Sequence, residues 1–363
     1  MKNKTILLIS PEAWGTNFVS KHHYANYLAK HNTVYFLNPV LGSIVNPFGN
    51  VKAEIKPIKD NLFQVNYKNL LPRLNTLPKF IQQFIFKRQA KQIQTALNIM
   101  KFDIVWSFDP YRFWNQTVWG TDKTIYHTVD FHPKAKFENE IIKSSKHKIS
   151  ISKFIPSDLI TKVENISVVS HGISISNELN KNIKLPGNNI LKCIYVGNVS
   201  NLLDVDRINR LVEQNNTVDF ILIGPTKKSN ISNTNVDTTR FNKNIFLLGE
   251  LSSNLIQSYL SKADICILLL KDRGSIKNIN SHKVLEYLYS GNVVLSDGLL
   301  DYKGNKIIES VWSKGDFNEK FKEIIQNIDF FNSNELSKKR KDFAIQNSYD
   351  NKIEEISTII YKT

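Results

Sequence analysis

The stretch ADICILLLKDRGSIKNINSHKVLEYLYSGNVVLS, residues 263–296, gives the strongest indication of fold class in this chain of 363 residues. Its apolar run 265–270 is bounded by charged residues, which predicts a buried strand. After a polar loop, a helix is predicted over 282–290, with Asn280 or Ser281 as its N-cap and a glycine at its end. An apolar run that follows predicts the next strand. Strand, loop, helix and strand together are typical of a parallel sheet, whose ligands bind at the carboxyl ends of the strands.

The loop and the helix start carry groups that suit an anionic ligand. Unpaired backbone N–H groups and the positive end of the helix dipole lie at such a helix start. One turn inside the helix, Glu286 can accept hydrogen bonds from vicinal hydroxyl groups. Phosphate-binding amides followed by a hydroxyl-binding acid predict a nucleotide ligand. The cationic side chains of the same stretch are Lys271, Arg273, Lys277 and Lys283.

The strand ADICILLL and the helix segment SHKVLEYLYSGNVVLSD resemble the donor site of GT-B glycosyltransferases. The resemblance implies that amides of Ser281 and His282 hold the donor diphosphate and that Glu286 binds the ribose. Many retaining members carry a second glutamate eight residues earlier, where this chain has Asn278. The contact with the donor sugar and the stereochemical outcome therefore stay open.

Length and composition indicate two domains and anionic partners. The formal net charge of +15 favours nucleic acid, an anionic membrane surface or phosphorylated substrates. No nucleic-acid-binding signature supports the first of these, so no nucleic-acid partner is predicted. Cys193 and Cys266 lie in predicted strands and are expected to be small buried hydrophobes. The first apolar run is too short for a signal peptide, and no run reaches the roughly 20 residues of a membrane span, so a cytoplasmic location is expected.

The chain opens with a predicted strand, helix and strand over residues 5–37, as in a doubly wound sheet. The opening lacks the G-x-G-x-x-G fingerprint of dinucleotide-binding domains. It resembles bacterial group 1, family-4-like enzymes of polysaccharide biosynthesis, such as the teichuronic acid glycosyltransferases. The resemblance implies that Trp14, Gly15, Lys21 and His22 lie near an acceptor-binding cleft between the domains. Alternatively, Lys21 and His22 lie on a solvated helix face.

Candidate catalytic residues lie at the end of the predicted strand 124–129. Asp130 and His127 are predicted to contact the donor sugar or to act as a base towards an acceptor hydroxyl. The alternative for His127 is a satisfied core histidine, the commoner role of a histidine inside a strand. His171 and Gly172 resemble the H-G-I segment that closes the first GT-B domain and faces the cleft.

The second half repeats the alternation of strands and helices. Gly197 and Asn198 follow a predicted strand in a tight turn that, by the resemblance, approaches the donor phosphates. Relatives carry Arg and Lys soon after this turn, whereas this chain has neither before Arg207, so Arg273 or Lys277 is expected to bind the phosphates. The predicted division is an acceptor domain over 1–176, a linker over 177–190, a donor domain over 191–335, and a C-terminal helix over 336–363 that packs back on the first domain.

Residues 70–100 are apolar, aromatic and basic together, with Phe80 and Phe84 at helical spacing. Such a segment suits a helix in an anionic membrane interface. A helix with an inward apolar face and solvated lysines explains the pattern equally well.

The expected fold is α/β, a GT-B architecture of two Rossmann-like doubly wound domains that face a cleft, with a C-terminal helix that crosses back. The expected function is metal-independent transfer from a UDP- or GDP-linked sugar to a saccharide or lipid-linked acceptor in cell-surface polysaccharide biosynthesis, with no cofactor. The motif Asp204-Val205-Asp206 is interpreted as a helix start rather than a metal site. Two alternatives stay open: a non-catalytic GT-B-fold protein that binds an anionic membrane or a nucleotide, and a sugar-nucleotide epimerase.

Overall fold

The computed structural model describes residues 1–15, 18–130, 132, 134–154, 165–175, 179–199, 203–225, 244–271, 282–312 and 316–362. The chain forms two compact units. Unit 1 comprises Met1–His171 and Tyr349–Thr363, and unit 2 comprises Gly172–Ser348. Each unit has its own sheet and its own hydrophobic core.

Unit 1 is built on an eight-stranded sheet. Its strands are β1 (Thr5–Ile9), β2 (Thr33–Leu37), β3 (Glu54–Lys59), β4 (Leu62–Asn66), β5 (Ile104–Ser107), β6 (Thr124–Thr128), β7 (His147–Ser150) and β8 (Ile166–Val168). They lie in the order β3-β4-β2-β1-β5-β6-β7-β8, and all neighbours are parallel except the edge pair β3 and β4. The central strands are buried on both faces, which explains why β1 is apolar throughout.

The helices of unit 1 cover the two faces of this sheet. Among the described residues before Gly172 they are α1 (Ser20–Leu28), α2 (Lys79–Ala96) and α3 (Glu138–Ser144), with 3₁₀ helices at Leu74–Thr76 and Gln116–Trp119. Helix α1 packs with Tyr24 and Leu28 on one core cluster, whereas α2 packs with Ile85, Phe86 and Ile93 on the other. The predicted strand, helix and strand at the start of the chain are confirmed.

Unit 2 is built on a six-stranded parallel sheet. Its strands are β9 (Leu191–Val196), β10 (Val218–Ile223), β11 (Ile245–Gly249), β12 (Ile265–Leu268), β13 (Val293–Asp297) and β14 (Glu309–Val311), in the order β11-β10-β9-β12-β13-β14. Its helices are α4 (Val205–Gln214), α5 (Ser253–Leu260), α6 (His282–Ser290), α7 (Asp316–Gln326), α8 (Ile328–Phe331) and α9 (Asn334–Gln346), with a 3₁₀ helix at Leu300–Tyr302. The strand, helix and strand predicted within residues 263–296 are confirmed as β12, α6 and β13.

The Asp-x-Asp motif starts a helix, as predicted. Asp204 is the N-cap of α4, and its Oδ1 accepts a hydrogen bond from the backbone N–H of Arg207 at 3.3 Å. Asp206 lies in the first turn, where a negative charge is favoured by the helix dipole.

The last helix, α10 (Tyr349–Tyr361), belongs to unit 1 although it follows α9 of unit 2. The Tyr349 ring stacks on His23 of α1 with centroids 5.0 Å apart, and Lys30 Nζ lies 2.9 Å from Asp350 Oδ2. Ile356 and Ile360 are buried in the core beside α1. The last helix therefore completes the unit that begins at the first residue. The single C-terminal helix predicted over 336–363 is two helices in the structure, of which α9 belongs to unit 2 and only α10 to unit 1.

Among the helices of the described residues, none has both the length and the apolar character needed to span a bilayer.

Candidate functional site

In unit 2 the candidate site lies at the start of α6, where Glu286 occupies the second turn. Its Oε2 accepts a hydrogen bond from Lys283 Nζ at 3.0 Å, and its Oε1 lies 3.9 Å from His282 Nε2. The Glu286 side chain is 23% exposed, so the carboxylate is held by basic neighbours yet reaches the surface. The predicted contacts Arg273, Lys277, Asn278 and Ser281 lie outside the described residues.

A buried tyrosine next to Glu286 holds α6 against the sheet. The Tyr287 hydroxyl accepts a hydrogen bond from Val196 N at 2.7 Å and donates one to Val196 O at 3.3 Å. Val196 is the last residue of β9, and the ladder between β9 and β12 already ends at Ile194. The hydroxyl therefore replaces a strand neighbour for Val196. It fixes α6 beside the turn that contains Gly197.

Two turns approach each other closely at this end of the sheet. Gly197 N donates to Ile223 O at 2.9 Å, and Gly224 follows with a φ of +139°. A Cβ atom on Gly224 would lie 1.9 Å from the carbonyl oxygen of Gly197. Only glycine allows this approach, which keeps the backbone of Gly197 and Asn198, both half-buried, at the carboxyl edge.

The first basic residue after that turn is already engaged. Arg207 donates to both carboxylate oxygens of Asp297, at 2.8 and 3.1 Å. This fork-shaped pair ties α4 to the end of β13. A cavity of about 580 Å³ lies along α4 and α7, lined by Arg207, Arg210 and Phe317 among others. Glu286 is not among its lining residues.

In unit 1 the candidate site is organised around a buried lysine. Lys21 is 1% exposed, and its Nζ lies 2.9 Å from Glu12 Oε2 and 3.1 Å from Asp130 Oδ2. The two carboxylate side chains are 42% and 59% exposed. The solvated-face interpretation of Lys21 is therefore wrong. A buried ammonium group requires charged partners, and here both partners also face solvent.

His22 is equally buried, so the solvated-face interpretation is wrong for it as well. Its Nδ1 accepts a hydrogen bond from Val19 N at 3.2 Å, which leaves Nε2 to donate to Ala13 O at 3.0 Å. Burial lowers its pKa, so the ring is neutral near pH 7. The half-buried Trp14 packs edge-on to His22 at 5.2 Å, and Gly15 is exposed.

His127 lies beneath this site, in an aromatic environment. It is 0% exposed, with ring centroids 5.1 Å from Phe108 and 5.9 Å from Trp106. Neither ring nitrogen has a hydrogen-bond partner among the described residues. Burial, with smaller contributions from His171 and Lys21, holds its pKa well below the usual value. His127 is thus a neutral core group, whereas Asp130 reaches the surface.

His171 closes unit 1 beside the start of α1. Its Nδ1 lies 3.0 Å from Ser20 Oγ, and the side chain is buried. The buried Gly172 is the first residue of unit 2.

Two charged residues that organise unit 1 near the candidate site were missed by the sequence analysis. Glu12, the second partner of Lys21, lies in a loop without a recognisable pattern. Arg112 is buried and donates to Asp109 Oδ2 at 2.5 Å, to Ser10 O at 2.7 Å and to Asn38 O at 2.7 Å. It ties together the ends of β1, β2 and β5. An Asp and an Arg in one turn directly after a buried strand could have indicated this pair.

The described residues contain no group of three or more His, Cys, Asp or Glu side chains that could hold a metal ion.

Comparisons with known proteins give matches only at the level of structure. No family model matches the sequence, and no curated protein matches it. A sucrose-phosphate synthase from Thermosynechococcus elongatus matches with a TM-score of 0.69 at 10% identity over 99% of both chains. A trehalose-6-phosphate protein from E. coli, bound with UDP-2-fluoro glucose, matches with a TM-score of 0.67 at 11% identity over 98% of both chains.

A further match is an α,α-trehalose-phosphate synthase (UDP-forming) from Burkholderia xenovorans in complex with glucose-6-phosphate. Its TM-score is 0.65 at 10% identity, over 98% of this chain and 99% of that one. At such identities the likeness establishes the fold. The expected GT-B fold of two Rossmann-like domains is confirmed. The narrower resemblance to teichuronic acid enzymes stays a prediction.

Proposed function

We propose that this protein is a glycosyltransferase that moves a sugar from a nucleoside-diphosphate sugar to a saccharide acceptor. The observation that carries the proposal is the start of α6, where Glu286 reaches the surface and Tyr287 anchors the helix beside Gly197. Two structures of similar fold support it, since one is bound with UDP-2-fluoro glucose and the other is in complex with glucose-6-phosphate. A UDP-linked donor is the first candidate and a GDP-linked donor the second.

The donor is assigned to unit 2. Amides of Ser281 and His282, the turn Gly197-Asn198, and the cations Arg273, Lys277 and Lys283 are proposed to hold the diphosphate. Glu286 is proposed to accept hydrogen bonds from the ribose hydroxyls, and Asn278 to contact the sugar. Negative charge develops on the leaving diphosphate as its bond to the sugar breaks. Fixed amides and cations stabilise that charge, so the proposal includes no resident metal or cofactor.

The acceptor is assigned to unit 1. An acceptor hydroxyl attacks the sugar carbon, and its proton passes to the Asp130 carboxylate, which is exposed and held by Lys21 at 3.1 Å. Trp14, Gly15, His22, His171 and Gly172 are proposed to shape the acceptor side. Because His127 has no exposure, its proposed role is to support this site from beneath rather than to take the proton itself.

The biological setting is proposed to be cell-surface polysaccharide assembly, with a saccharide or lipid-linked acceptor, at the inner face of the cell membrane. Support comes from α2, whose phenylalanines Phe80 and Phe84 are 75% and 53% exposed. Such exposure favours the membrane-interface interpretation of residues 70–100 over the alternative, a helix whose apolar side chains all face inward.

The test is calorimetric binding of UDP, GDP, ADP and CMP to the wild type and to variants. Glu286→Ala is expected to weaken the preferred nucleotide about 10- to 100-fold, because it removes a hydrogen-bonding charge. Glu335→Ala, which removes an exposed carboxylate 76% open to solvent in α9, is the matched control and should bind as the wild type does. Asp130→Asn should bind the nucleotide normally and lose transfer by about 10²- to 10⁴-fold.

Binding of none of these nucleotides at millimolar concentration would overturn the donor assignment. A nucleotide that binds without transfer to any acceptor would favour the non-catalytic alternative. Conversion of the sugar nucleotide itself, without an acceptor, would favour an epimerase.

A further inference from the structure

Unit 1 exposes large apolar side chains in two neighbouring segments, which are here together called the apolar face. Leu41, Val45 and Phe48, in the loop after β2, are 60%, 70% and 73% exposed. Phe80 and Phe84 of α2 are 75% and 53% exposed. Exposed apolar patches of this kind mark contacts with a protein, a membrane or a ligand.

The loop and the helix belong to the same surface because hydrogen bonds join them. The Arg88 guanidinium donates to Phe48 O at 2.6 Å. Gln92 Nε2 donates to Gly49 O at 2.9 Å, and Val51 N donates back to Gln92 Oε1 at 2.8 Å. Phe80, Phe84 and Arg88 follow one another at intervals of one helical turn, so they lie on one side of α2. The loop therefore runs beside α2 from Arg88 onwards, one helical turn from Phe84.

The backbone of the loop is strained where it presents an apolar side chain. Val45 has a φ of 57°, in the left-handed region that β-branched residues avoid. Glycine or asparagine would relieve this strain, yet the chain places a valine there with 70% exposure. A strained and mostly exposed apolar residue leads to the hypothesis that its side chain has a function.

The chain segment that contains α2 is basic. Residues 61–102 contain seven Lys and Arg and no Asp or Glu. Lys87 and Lys91 continue the stripe of Phe80 and Phe84 at helical spacing, and both are exposed. Neither forms an ion pair with any residue that the structure describes. Aromatic side chains beside unpaired lysines suit a partner that has an apolar interior and negatively charged groups at its surface.

We propose that the apolar face docks on an anionic lipid leaflet. Val45, Phe48, Phe80 and Phe84 enter the interface, and the lysines contact the headgroups. A second copy of this chain is a poor occupant, because it would bring two sets of like charges together. The inference rests on the membrane-side setting of the proposed function, and it goes further by adding the loop after β2 to the docking surface.

The experiment is co-sedimentation of the full chain with vesicles of phosphatidylcholine, alone or with about one third phosphatidylglycerol. The wild type should bind the anionic vesicles and release them as salt rises. Phe48→Ser/Phe80→Ser/Phe84→Ser should weaken binding at least about 100-fold, because three large apolar groups no longer enter the interface. Lys87→Gln/Lys91→Gln should weaken it about tenfold or more at low salt.

Matched changes in unit 2 serve as controls. Phe330→Ser removes a phenylalanine that is 66% exposed, and Lys338→Gln/Lys339→Gln removes two exposed lysines of α9. Both should bind vesicles as the wild type does, and circular dichroism of every variant checks folding.

Three results would overturn the proposal. They are a wild type that stays in the supernatant, controls that lose binding as the face variants do, and a wild type that dimerises through the face. Nucleotide calorimetry without vesicles is independent of these results, so failure of the docking proposal is distinguishable from failure of the donor assignment.

Discussion

Glu12 and Asp130 reach Lys21 from loops that follow β1 and β6, and together they compensate one buried positive charge. Removal of either carboxylate would leave this buried ammonium group with less compensation and destabilise unit 1. Both carboxylates keep part of their surface in solvent. The stability of unit 1 and the catalytic role proposed for Asp130 therefore depend on the same carboxylate. For this reason an isosteric amide, which keeps an oxygen near Lys21, is the suitable probe of Asp130.

His127 makes the stability of unit 1 depend on pH. Its pKa is held well below the ordinary 6.5 by burial, whereas in the unfolded chain it returns to that value. Above pH 6.5 the histidine is neutral in both states, so the stability of unit 1 is not reduced by its protonation. As the pH falls below 6.5, His127 binds a proton in the unfolded state but stays neutral in the folded state. The free energy of unfolding therefore falls by about 1.4 kcal/mol per pH unit.

Between pH 6.5 and pH 5, the free energy of unfolding of His127→Phe should therefore fall by about 2 kcal/mol less than that of the wild type. The phenylalanine ring suits a site already formed by Phe108 and Trp106. Urea unfolding at both pH values measures the effect, with the exposed His31→Gln as a control that should keep the wild-type slope. A His127→Phe variant with that same slope would contradict this account.

At the residue scale, the sequence analysis selected Lys21, His127 and Asp130 as candidates but did not predict that Lys21 pairs with Asp130. Local patterns mark a strand end or a helix start. Lys21 and Asp130 meet only because parallel strands bring their carboxyl ends to one edge of the sheet. Glu12 left no signal, since a single acid in a loop is common.

At the element scale, the predicted helix over 282–290 agrees with α6 (His282–Ser290), because its apolar spacing and Gly291 define both ends. The β3–β4 pair was not predicted. Strand β3, EIKPIK, is exposed at nearly every position and carries charges and a proline, as edge strands do. Its sequence has little apolar character from which a strand could be predicted.

The attachment of α6 to β9 gives a prediction at this scale. Tyr287→Phe should lower the free energy of unfolding of unit 2 by about 1–3 kcal/mol, because the backbone N–H of Val196 loses its partner in a buried place. Nucleotide affinity should fall as well, since α6 is less firmly held. Urea unfolding followed by circular dichroism and nucleotide calorimetry measure the two effects.

The control for this change is Tyr259→Phe, on the half-buried Tyr259 of α5. It should alter stability by no more than about 0.5 kcal/mol. Equal losses in the two variants would mean that the hydroxyl of Tyr287 has no special role.

At the scale of the whole molecule, the chain starts and ends in unit 1, with unit 2 inserted between. Length and the alternation of strands and helices were sufficient to predict two domains. The return of the last helix was implied by family resemblance, because an amphipathic helix alone does not reveal which core it covers. The partner of α10 is set by Tyr349, which packs on His23 and Tyr24 more than 300 residues earlier.

Deletion of residues 349–363 should therefore unfold unit 1 while unit 2 stays folded. The deletion removes Tyr349, Ile356 and Ile360 from the core, a loss of about 5 kcal/mol or more at about 1.5–3 kcal/mol for each buried side chain. This is comparable to the whole stability of many domains. Unit 2 loses none of its own core residues, so its nucleotide binding should persist.

The tryptophans allow the two units to be followed separately. Of the 5 tryptophans, Trp312 alone belongs to unit 2, so fluorescence reports mainly on unit 1. Even without urea, the fluorescence of the truncated protein should be that of solvent-exposed tryptophans. Calorimetry should still detect nucleotide binding. A variant that lacks only residues 362–363 is the control and should unfold as the full chain does. An unchanged fluorescence transition after the longer deletion would show that unit 1 is stable without α10, and would contradict the assignment of that helix to its core.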